Sequence, residues 1–160
     1  MISSGLLAEA EALLEACRHE GVRLVTAESC TGGLIAGVLT AIAGSSDVVE
    51  RGFVTYSNAA KAEMLGVPVG LIASAGAVSA EVAAAMAVGA LERSHAEVAI
   101  AVTGVAGPGG GTAAKPVGLV WFGLAGRGPV ATESLIFPGD RTAVRMATVA
   151  HAFGLIRSRL

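Results

Sequence analysis

A run of polar residues, Glu28-Ser29-Cys30-Thr31-Gly32-Gly33, is the chain's strongest candidate for nucleophilic chemistry. The residues before it, Val22 to Thr26, alternate as in a strand, and those after it, Leu34 to Ile42, have the apolar spacing of a helix. The N-terminus of a helix offers free N–H groups and a positive potential, which suit an oxyanion or a phosphate. Ser29 or Cys30 at this point could act as a nucleophile, whereas a purely structural interpretation makes the hydroxyl residues helix caps.

A nucleophilic hydroxyl needs a base, and no histidine lies near this run in the sequence. Lysine replaces histidine in serine-lysine hydrolases, and the segment Tyr56-Ser57-Asn58-Ala59-Ala60-Lys61 supplies a lysine. Tyr56 is the chain's only tyrosine, and it ends a β-rich run that begins at Gly52. The alternative interpretation of Lys61 is an ordinary solvated lysine on a helix.

The segment from Thr103 to Thr112 is the part of the chain richest in glycine. Residues Gly109 to Ala114 fit the pattern G-x-G-x-x-A, but Lys115 and Pro116 follow them instead of a helix, so the dinucleotide-binding fingerprint lacks its structural context. The segment is either a flexible connection between strands or a backbone-lined wall for a flat or anionic ligand. The histidines and cysteines lack the spacing of metal ligands, and we expect neither a metal site nor a cofactor.

Length and composition exclude several classes of protein. The 160 residues predict one domain spanning residues 1–160, and an isoelectric point of about 5.9 argues against a nucleic-acid partner. A hydrophobic content of 53% excludes disorder, although no window of about 20 apolar residues predicts a membrane span. The sequence has no recognisable signal peptide and only two cysteines, so we expect a cytoplasmic protein with no membrane partner.

Apolar periodicity and turn residues predict the element order α-β-α-β-α-α-β-β-β-α. This order predicts an α/β fold, a three-layer α/β/α sandwich with a mixed, mainly parallel sheet. Besides the strand before and the helix after residues 29–33, the predicted helices are a first helix ending at Gly21, a helix from Asn58 to Leu65 that Gly66 and Pro68 break, a helix from Glu81 to Glu92 and a last helix after Arg141. The other predicted strands run from Gly52 to Tyr56, Val98 to Val102, Val117 to Leu124 and Val130 to Phe137.

Taken together, these segments resemble the C-terminal domain of the competence-damage-inducible protein family (CinA), which also occurs as a stand-alone nicotinamide-nucleotide amidase. The matching blocks occur in order and cover nearly the whole chain, and the N-terminal domain of longer family members is expected to be absent. The blocks are TAESCTGG from Thr26, IAGSS from Ile42, RGFVTYSNAAK from Arg51, LGV from Leu65, GAVS from Gly76, TGVAGPGGGT from Thr103, KPVGLVW from Lys115 and GDR from Gly139.

The resemblance implies hydrolysis of the carboxamide of nicotinamide mononucleotide to nicotinate mononucleotide and ammonia, in pyridine nucleotide salvage. It further implies a serine-lysine mechanism in which Ser29 is the nucleophile, Lys61 is the general base and Tyr56 is a proton-relaying or orienting hydroxyl. Lys61 must be neutral to act as a base, and burial would lower its pKa from about 10.4. Position 109 is glycine where the family often has a small polar or acidic residue.

The expected reaction also needs substrate-binding residues, of which the resemblance implies Thr103. Backbone N–H groups between Cys30 and Gly33 are our hypothesis for the oxyanion site, and Arg141, with Arg145 one turn later, is the leading candidate for the phosphate. The expected substrate-binding residues are Cys30, Thr31, Gly32, Gly33, Asn58, Thr103, Gly104, Gly107 and Arg141.

Three alternative interpretations remain open from the sequence. Cys30 could be the nucleophile, because a helix N-terminus activates thiolates in other amidases. The domain could instead be a non-catalytic, regulatory module that binds pyridine nucleotides, or a scaffold assembled through its alanine-rich helices. A charged content of only 15% suggests a covered surface patch, so we expect a homo-oligomer.

Overall fold

The computed structural model describes residues 1–160, which form one five-stranded sheet with helices on both faces. None of the helices has both the length and the apolar character needed to cross a membrane. The strands are β1 (Leu24–Glu28), β2 (Val49–Val54), β3 (Val98–Gly104), β4 (Leu119–Ala125) and β5 (Ala131–Ile136). The helices are α1 (Ser4–Glu20), α2 (Leu34–Thr40), α3 (Asn58–Leu65), α4 (Val69–Ala75), α5 (Ala80–Glu92) and α6 (Arg141–Arg157), with a short 3-10 helix at Ser45–Asp47.

The strand order across the sheet is β2-β1-β3-β4-β5. Strand β1 pairs in parallel with both β2 and β3, whereas β4 pairs antiparallel with β3 and β5. Only β4 therefore runs against the other four strands, which confirms the predicted mixed, mainly parallel sheet. The carboxyl ends of β2, β1 and β3 consequently meet at one edge, where α/β proteins place their ligands.

Two apolar cores account for the three layers. On one face, Leu24 and Ile100 belong to the core formed with α1, α2 and α6. On the other face, Val25 and Ala101 belong to the core formed with α3, α4 and α5. Neighbouring residues of one strand thus point into different cores, as the two-residue period of a strand requires. Both faces of the central strands are covered, which explains why Val98 to Val102 is apolar throughout.

The boundaries of several elements differ from the predicted ones. The first strand begins at Leu24 and extends to Glu28, two residues beyond the prediction, because its pairing with β2 and β3 continues to Glu28. Helix α2 ends at Thr40 and does not reach Gly44. The sequence prediction also missed α4, in which only Ile72 is buried. Such a short helix has too few buried positions to give an apolar period, and Pro68, interpreted as a helix breaker, is its N-cap.

Candidate active site

Ser29 and two threonines lie side by side at the carboxyl edge of the central strands. The backbone ladder continues one residue beyond β1 and β2: the Ser29 N–H donates to Val102 O at 3.0 Å, and the Thr55 N–H donates to Glu28 O at 2.9 Å. Since Glu28 pairs with Val102, Ser29 comes next to Thr103 of β3. The sheet thus brings together the first polar residue after each of two neighbouring strands.

Lys61 meets Ser29 at this edge. Its Nζ lies 2.9 Å from the Ser29 Oγ and 2.9 Å from the carbonyl oxygen of Thr55. The lysine lies in the first turns of α3, which begins at a cap where the Ser57 hydroxyl accepts the Ala60 N–H. The β2–α3 connection is short, so the lysine side chain comes back over the end of β1.

Burial decides how Lys61 is interpreted. The side chain is only 1% exposed and forms no ion pair, so it is not the solvated helix lysine of the alternative interpretation. Burial lowers the pKa of Lys61 below its ordinary value, because a charged ammonium loses its hydration there. A lowered pKa favours the neutral amine, which is the form that a serine-lysine hydrolase needs next to its serine hydroxyl.

The cap of α2 comes from Glu28, a residue to which the sequence assigned no function. The N–H groups of Ile35 and Ala36 donate to its two carboxylate oxygens at 2.8 and 3.0 Å. Ser29 therefore does not cap this helix, and its hydroxyl is free to contact Lys61. An acidic residue that ends an apolar strand, followed directly by hydroxyl residues, was the sequence signal for this arrangement.

The turn between Ser29 and α2 leaves backbone donors without acceptors. The Gly32 N–H donates a hydrogen bond to Ser29 O at 3.0 Å. The N–H groups of Cys30, Thr31 and Gly33 have no acceptor within the protein. Thr31 is completely buried, so Cys30 and Gly33 are the donors that a ligand is better able to reach. These two N–H groups are therefore the candidates for the oxyanion donors expected between Cys30 and Gly33.

Two glycines allow this turn to form. Gly32 has a φ of 61° and Gly33 a φ of 96°, both in the left-handed region that favours glycine. A Cβ at Gly33 would also lie 3.1 Å from Val54 Cγ2 of the neighbouring strand. Any larger residue at Gly33 would therefore strain the backbone and disturb the turn that follows Ser29.

Cys30 has the properties of a buried structural thiol. It is 6% exposed, and burial raises its pKa to about 11, with a further rise from the charge of Glu28. A thiol with this pKa carries almost no thiolate at neutral pH, although the thiolate is the reactive form. The structure therefore favours Ser29 over Cys30 as the nucleophile.

We expect Cys30→Ala to keep most of the wild-type activity, because the thiol forms no hydrogen bond with Ser29 or Lys61 and its pKa is raised to about 11. Iodoacetamide should likewise leave the native enzyme active, since the thiol is buried and protonated. Turnover of the variant and of the alkylated protein measures both effects, with Cys17→Ala as a second buried-cysteine control. Loss of activity in Cys30→Ala alone would restore the thiol mechanism.

Arg141 connects two rims of the site. Its Nη1 donates to Gly107 O at 2.7 Å in the glycine-rich segment, and its Nη2 donates to the Tyr56 hydroxyl at 2.9 Å. The Tyr56 hydroxyl thus contacts Arg141, and it forms no hydrogen bond with Ser29 or Lys61. The proton-relaying function of Tyr56 stays a prediction, and what the structure adds is its pairing with the arginine.

The other residues expected to bind substrate occupy different places around the site. The Thr103 hydroxyl donates to Ala77 O at 2.8 Å and so fixes the connection between α4 and α5. Gly104 allows close packing, because a Cβ there would lie 2.7 Å from Leu119 O. Asn58 lines an apolar groove of about 430 Å³ between α3 and α4, and no hydrogen bond joins its side chain to Ser29 or Lys61.

Arg145 lies one turn after Arg141 and contacts the turn after Ser29 directly. Its Nη2 donates to Thr31 O at 2.7 Å, while its buried Nε has no partner. From the sequence, Arg145 ranked behind Arg141 as a phosphate ligand, because its contact with Thr31 joins residues more than a hundred positions apart.

No group of three or more histidine, cysteine, aspartate or glutamate side chains is placed to hold a metal ion.

Comparison with known proteins decides the family. The profile of the CinA C-terminal domain matches residues 7–160, almost the full chain. The chain belongs to the CinA C-terminal domain family. This match confirms the resemblance found in the sequence.

Relatives of this CinA domain carry two kinds of name. The nicotinamide-nucleotide amidohydrolase PncC of Escherichia coli K12 is 50% identical over 153 residues, which cover 95% of this chain and 93% of the relative. A CinA-like protein of Geobacter sp. strain M21 is 54% identical over 143 residues, and the chain spans only 34% of that longer protein. Another longer relative is likewise matched over 35% of its length.

Solved structures of the family have the same fold. The competence/damage inducible protein CihA of Agrobacterium tumefaciens superposes with a TM-score of 0.96 and 48% identity, covering 99% of this chain and 98% of that one. A CinA superfamily protein of Escherichia coli superposes with a TM-score of 0.92 and 36% identity, covering 100% of this chain and 94% of that one. The α/β fold predicted from the sequence is thereby confirmed.

Proposed function

We propose that this CinA domain hydrolyses the carboxamide of nicotinamide mononucleotide, with Ser29 as nucleophile and Lys61 as general base. The observation that carries the proposal is the 2.9 Å contact between Lys61 Nζ and Ser29 Oγ in a buried setting. The nicotinamide-nucleotide amidohydrolase of Escherichia coli, 50% identical over 95% of this chain, supports the choice of substrate. The enzyme is thus an amidase that acts on a linear amide.

Acylation begins when neutral Lys61 accepts the proton of the Ser29 hydroxyl. The serine oxygen attacks the carboxamide carbon, and the N–H groups of Cys30 and Gly33 donate to the oxyanion that forms. The residue after the nucleophile is a common oxyanion donor, since its N–H lies next to the new bond. The intermediate then breaks its C–N bond, and Lys61 returns the proton to the leaving nitrogen, which departs as ammonia.

Deacylation uses the same groups in the opposite direction. Lys61, neutral again after protonating the leaving nitrogen, accepts a proton from a water molecule, which attacks the ester carbon. The oxyanion donors act a second time, and the ester bond to Ser29 Oγ breaks. Lys61 returns its proton to the serine oxygen, and the acid product leaves as nicotinate mononucleotide.

The phosphate of the substrate is best matched by Arg141. The residue is exposed, and its partners are a carbonyl and a phenol, so no carboxylate neutralises the guanidinium. A cleft of about 430 Å³ adjoins it, lined by Ala106 and Pro108 of the glycine-rich segment, by Val117 and by the start of α6. Asp140 also lines this cleft, with its carboxylate accepting the Ala143 N–H as the cap of α6. Arg145 is less accessible than Arg141, because its side chain is only partly exposed and its Nε is buried.

The reaction is tested directly by incubating the purified protein with nicotinamide mononucleotide. We expect ammonia and nicotinate mononucleotide to appear in equal amounts, since hydrolysis of one amide gives one of each. Binding of the nucleotide by folded protein without ammonia release would contradict the proposal and favour the regulatory-module alternative.

Arg141→Gln should raise KM for nicotinamide mononucleotide by roughly 10- to 100-fold, because a charge-assisted hydrogen bond contributes about 1.5–3 kcal/mol. The effect should be much smaller for nicotinamide riboside, which lacks the phosphate. Steady-state kinetics of both substrates measure the difference, and Arg157→Gln, an exposed arginine at the far end of α6, serves as the matched control. Equal losses for both substrates would move the phosphate site elsewhere.

A further inference from the structure

Glu28 is an unusual residue to find in the core. Among the aspartate, glutamate, lysine and arginine side chains, only Glu28 and Lys61 are buried, with exposures of 0% and 1%. Glu28 forms no ion pair. Burying a carboxylate away from water costs free energy unless hydrogen bonds replace its hydration. The groups that donate hydrogen bonds to Glu28 must therefore contribute to folding or to function.

Each oxygen of the carboxylate accepts two hydrogen bonds. Oε1 accepts the Thr31 hydroxyl at 2.6 Å and the Ile35 N–H at 2.8 Å. Oε2 accepts the Thr26 hydroxyl at 3.1 Å and the Ala36 N–H at 3.0 Å. The four donors come from β1, from the turn after Ser29 and from the first turn of α2. One side chain therefore ties together the three segments that surround the nucleophile.

Thr31 is held from two sides. Its hydroxyl donates to Glu28, and its carbonyl oxygen accepts the Nη2 of Arg145 at 2.7 Å. Thr31 is 0% exposed, so the hydroxyl lies inside the protein and has no access to solvent. The fixed position of Thr31 determines where the neighbouring N–H groups of the turn point.

We propose that Glu28 is a positioning residue for the amidase reaction. Its four hydrogen bonds hold the turn after Ser29, so that the serine hydroxyl faces Lys61 and the N–H groups of Cys30 and Gly33 stay available for the oxyanion. The inference rests on the proposed function for the identity of the substrate, although the geometry concerns Ser29 itself. Preorganised donors of this kind contribute strongly to acyl transfer, and small displacements are costly.

A carboxylate is required because both oxygens accept backbone N–H groups. Glutamine at position 28 has one acceptor oxygen, so its NH₂ group would face the N–H of either Ile35 or Ala36. A hydroxyl could turn to accept from that NH₂ group, but a backbone N–H cannot. We expect Glu28→Gln to lower kcat by roughly 100-fold.

The sharper test changes Thr31, because Thr31→Val keeps the shape of the side chain and removes one bond to Glu28. We expect kcat to fall about 10-fold with little change in KM, and Thr31→Ser to recover most of the loss. Thr148→Val is the matched control, since Thr148 is also 0% exposed and its hydroxyl bonds only within α6, to Val144 O at 2.7 Å. It should reduce stability without changing kcat.

A second readout separates this inference from the choice of substrate. An alkyl fluorophosphonate reacts with an activated serine: the Ser29 Oγ–P bond forms, the P–F bond breaks, fluoride leaves and Lys61 accepts the hydroxyl proton. The labelling rate of folded protein, followed by intact mass, should fall about 10-fold in Thr31→Val and recover in Thr31→Ser. Wild-type protein that is labelled but does not hydrolyse nicotinamide mononucleotide would refute the proposed substrate. The labelling rates of the variants would still test the positioning function of Glu28.

The inference is overturned if folded Thr31→Val and Glu28→Gln keep the wild-type kcat and labelling rate. It is also overturned if Thr148→Val lowers the labelling rate as much as Thr31→Val, because the effect would then come from general destabilisation. Circular dichroism and thermal unfolding of each variant identify the folded fraction to which the rates refer.

Discussion

Replacing Ser29 by alanine should lower kcat for nicotinamide mononucleotide hydrolysis by about 10³- to 10⁶-fold, the range found when a catalytic serine is removed. The large effect is expected because the acyl-enzyme can no longer form, while the oxyanion donors and the substrate contacts remain. KM or nucleotide binding should change little, since the one side-chain hydrogen bond of the Ser29 Oγ is with Lys61. Ammonia release and equilibrium binding measure the two effects separately.

Ser79→Ala is the matched control for this experiment. Ser79 is 7% exposed, close to the 9% of Ser29, and its hydroxyl caps α5 by accepting the Val82 N–H at 3.3 Å. Its removal should cost about 1 kcal/mol of stability and leave turnover intact. If Ser29→Ala kept substantial turnover, or if both serine variants lost activity equally, Ser29 could not be the nucleophile.

Replacing Lys61 by methionine should lower kcat by roughly 10²- to 10⁴-fold, the usual contribution of a general base. In the wild type, log kcat/KM should rise with pH through the pKa of Lys61, which burial holds below the ordinary lysine value, and then level off. Lys61→Arg should be inactive at every pH, because a guanidinium does not deprotonate. A wild-type profile without a rising limb, or an active methionine variant, would exclude Lys61 as the base.

The same pKa shift predicts a pH-dependent difference in stability. Because burial lowers the pKa of folded Lys61, the unfolded chain binds the extra proton between that value and about 10.4. The free energy of unfolding of the wild type should therefore rise with pH in this window, relative to that of Lys61→Met. Denaturant titrations at several pH values measure the difference, and parallel curves would mean that Lys61 titrates normally.

The sequence was enough to predict the fold class and to select the candidate reactive segments. The polar run at residues 28–33 stands out because it follows an apolar strand, and Lys61 stands out because no histidine is close to the run. Whether the two segments meet depends on the strand order, in which β1 lies between β2 and β3. Periodicity does not determine strand order, so the 2.9 Å contact between Ser29 and Lys61 needed the structure or the family resemblance.

Other features depend on contacts that no local pattern encodes. The bond between Arg141 and Tyr56 joins residues 85 positions apart, and it requires α6 to lie beside the β2–α3 connection. The carboxylate of Glu28 is recognisable as a cap only when β1 and α2 are placed in space. Helix α4 was missed because it buries a single residue, Ile72.

The homo-oligomer expected from the low charge content stays a prediction.

Serine catalysis is tested most directly by the mass of the enzyme quenched with acid during turnover of nicotinamide mononucleotide. We expect an added nicotinate mononucleotide acyl group, linked as an ester, on the peptide that contains Ser29. Because Cys30 lies on the same peptide, the experiment is run in Cys30→Ala, where the adduct should persist, and in Ser29→Ala, where it should vanish. An adduct lost in Cys30→Ala, or rapid ammonia release by the wild type together with undiminished turnover in Ser29→Ala, would contradict serine catalysis.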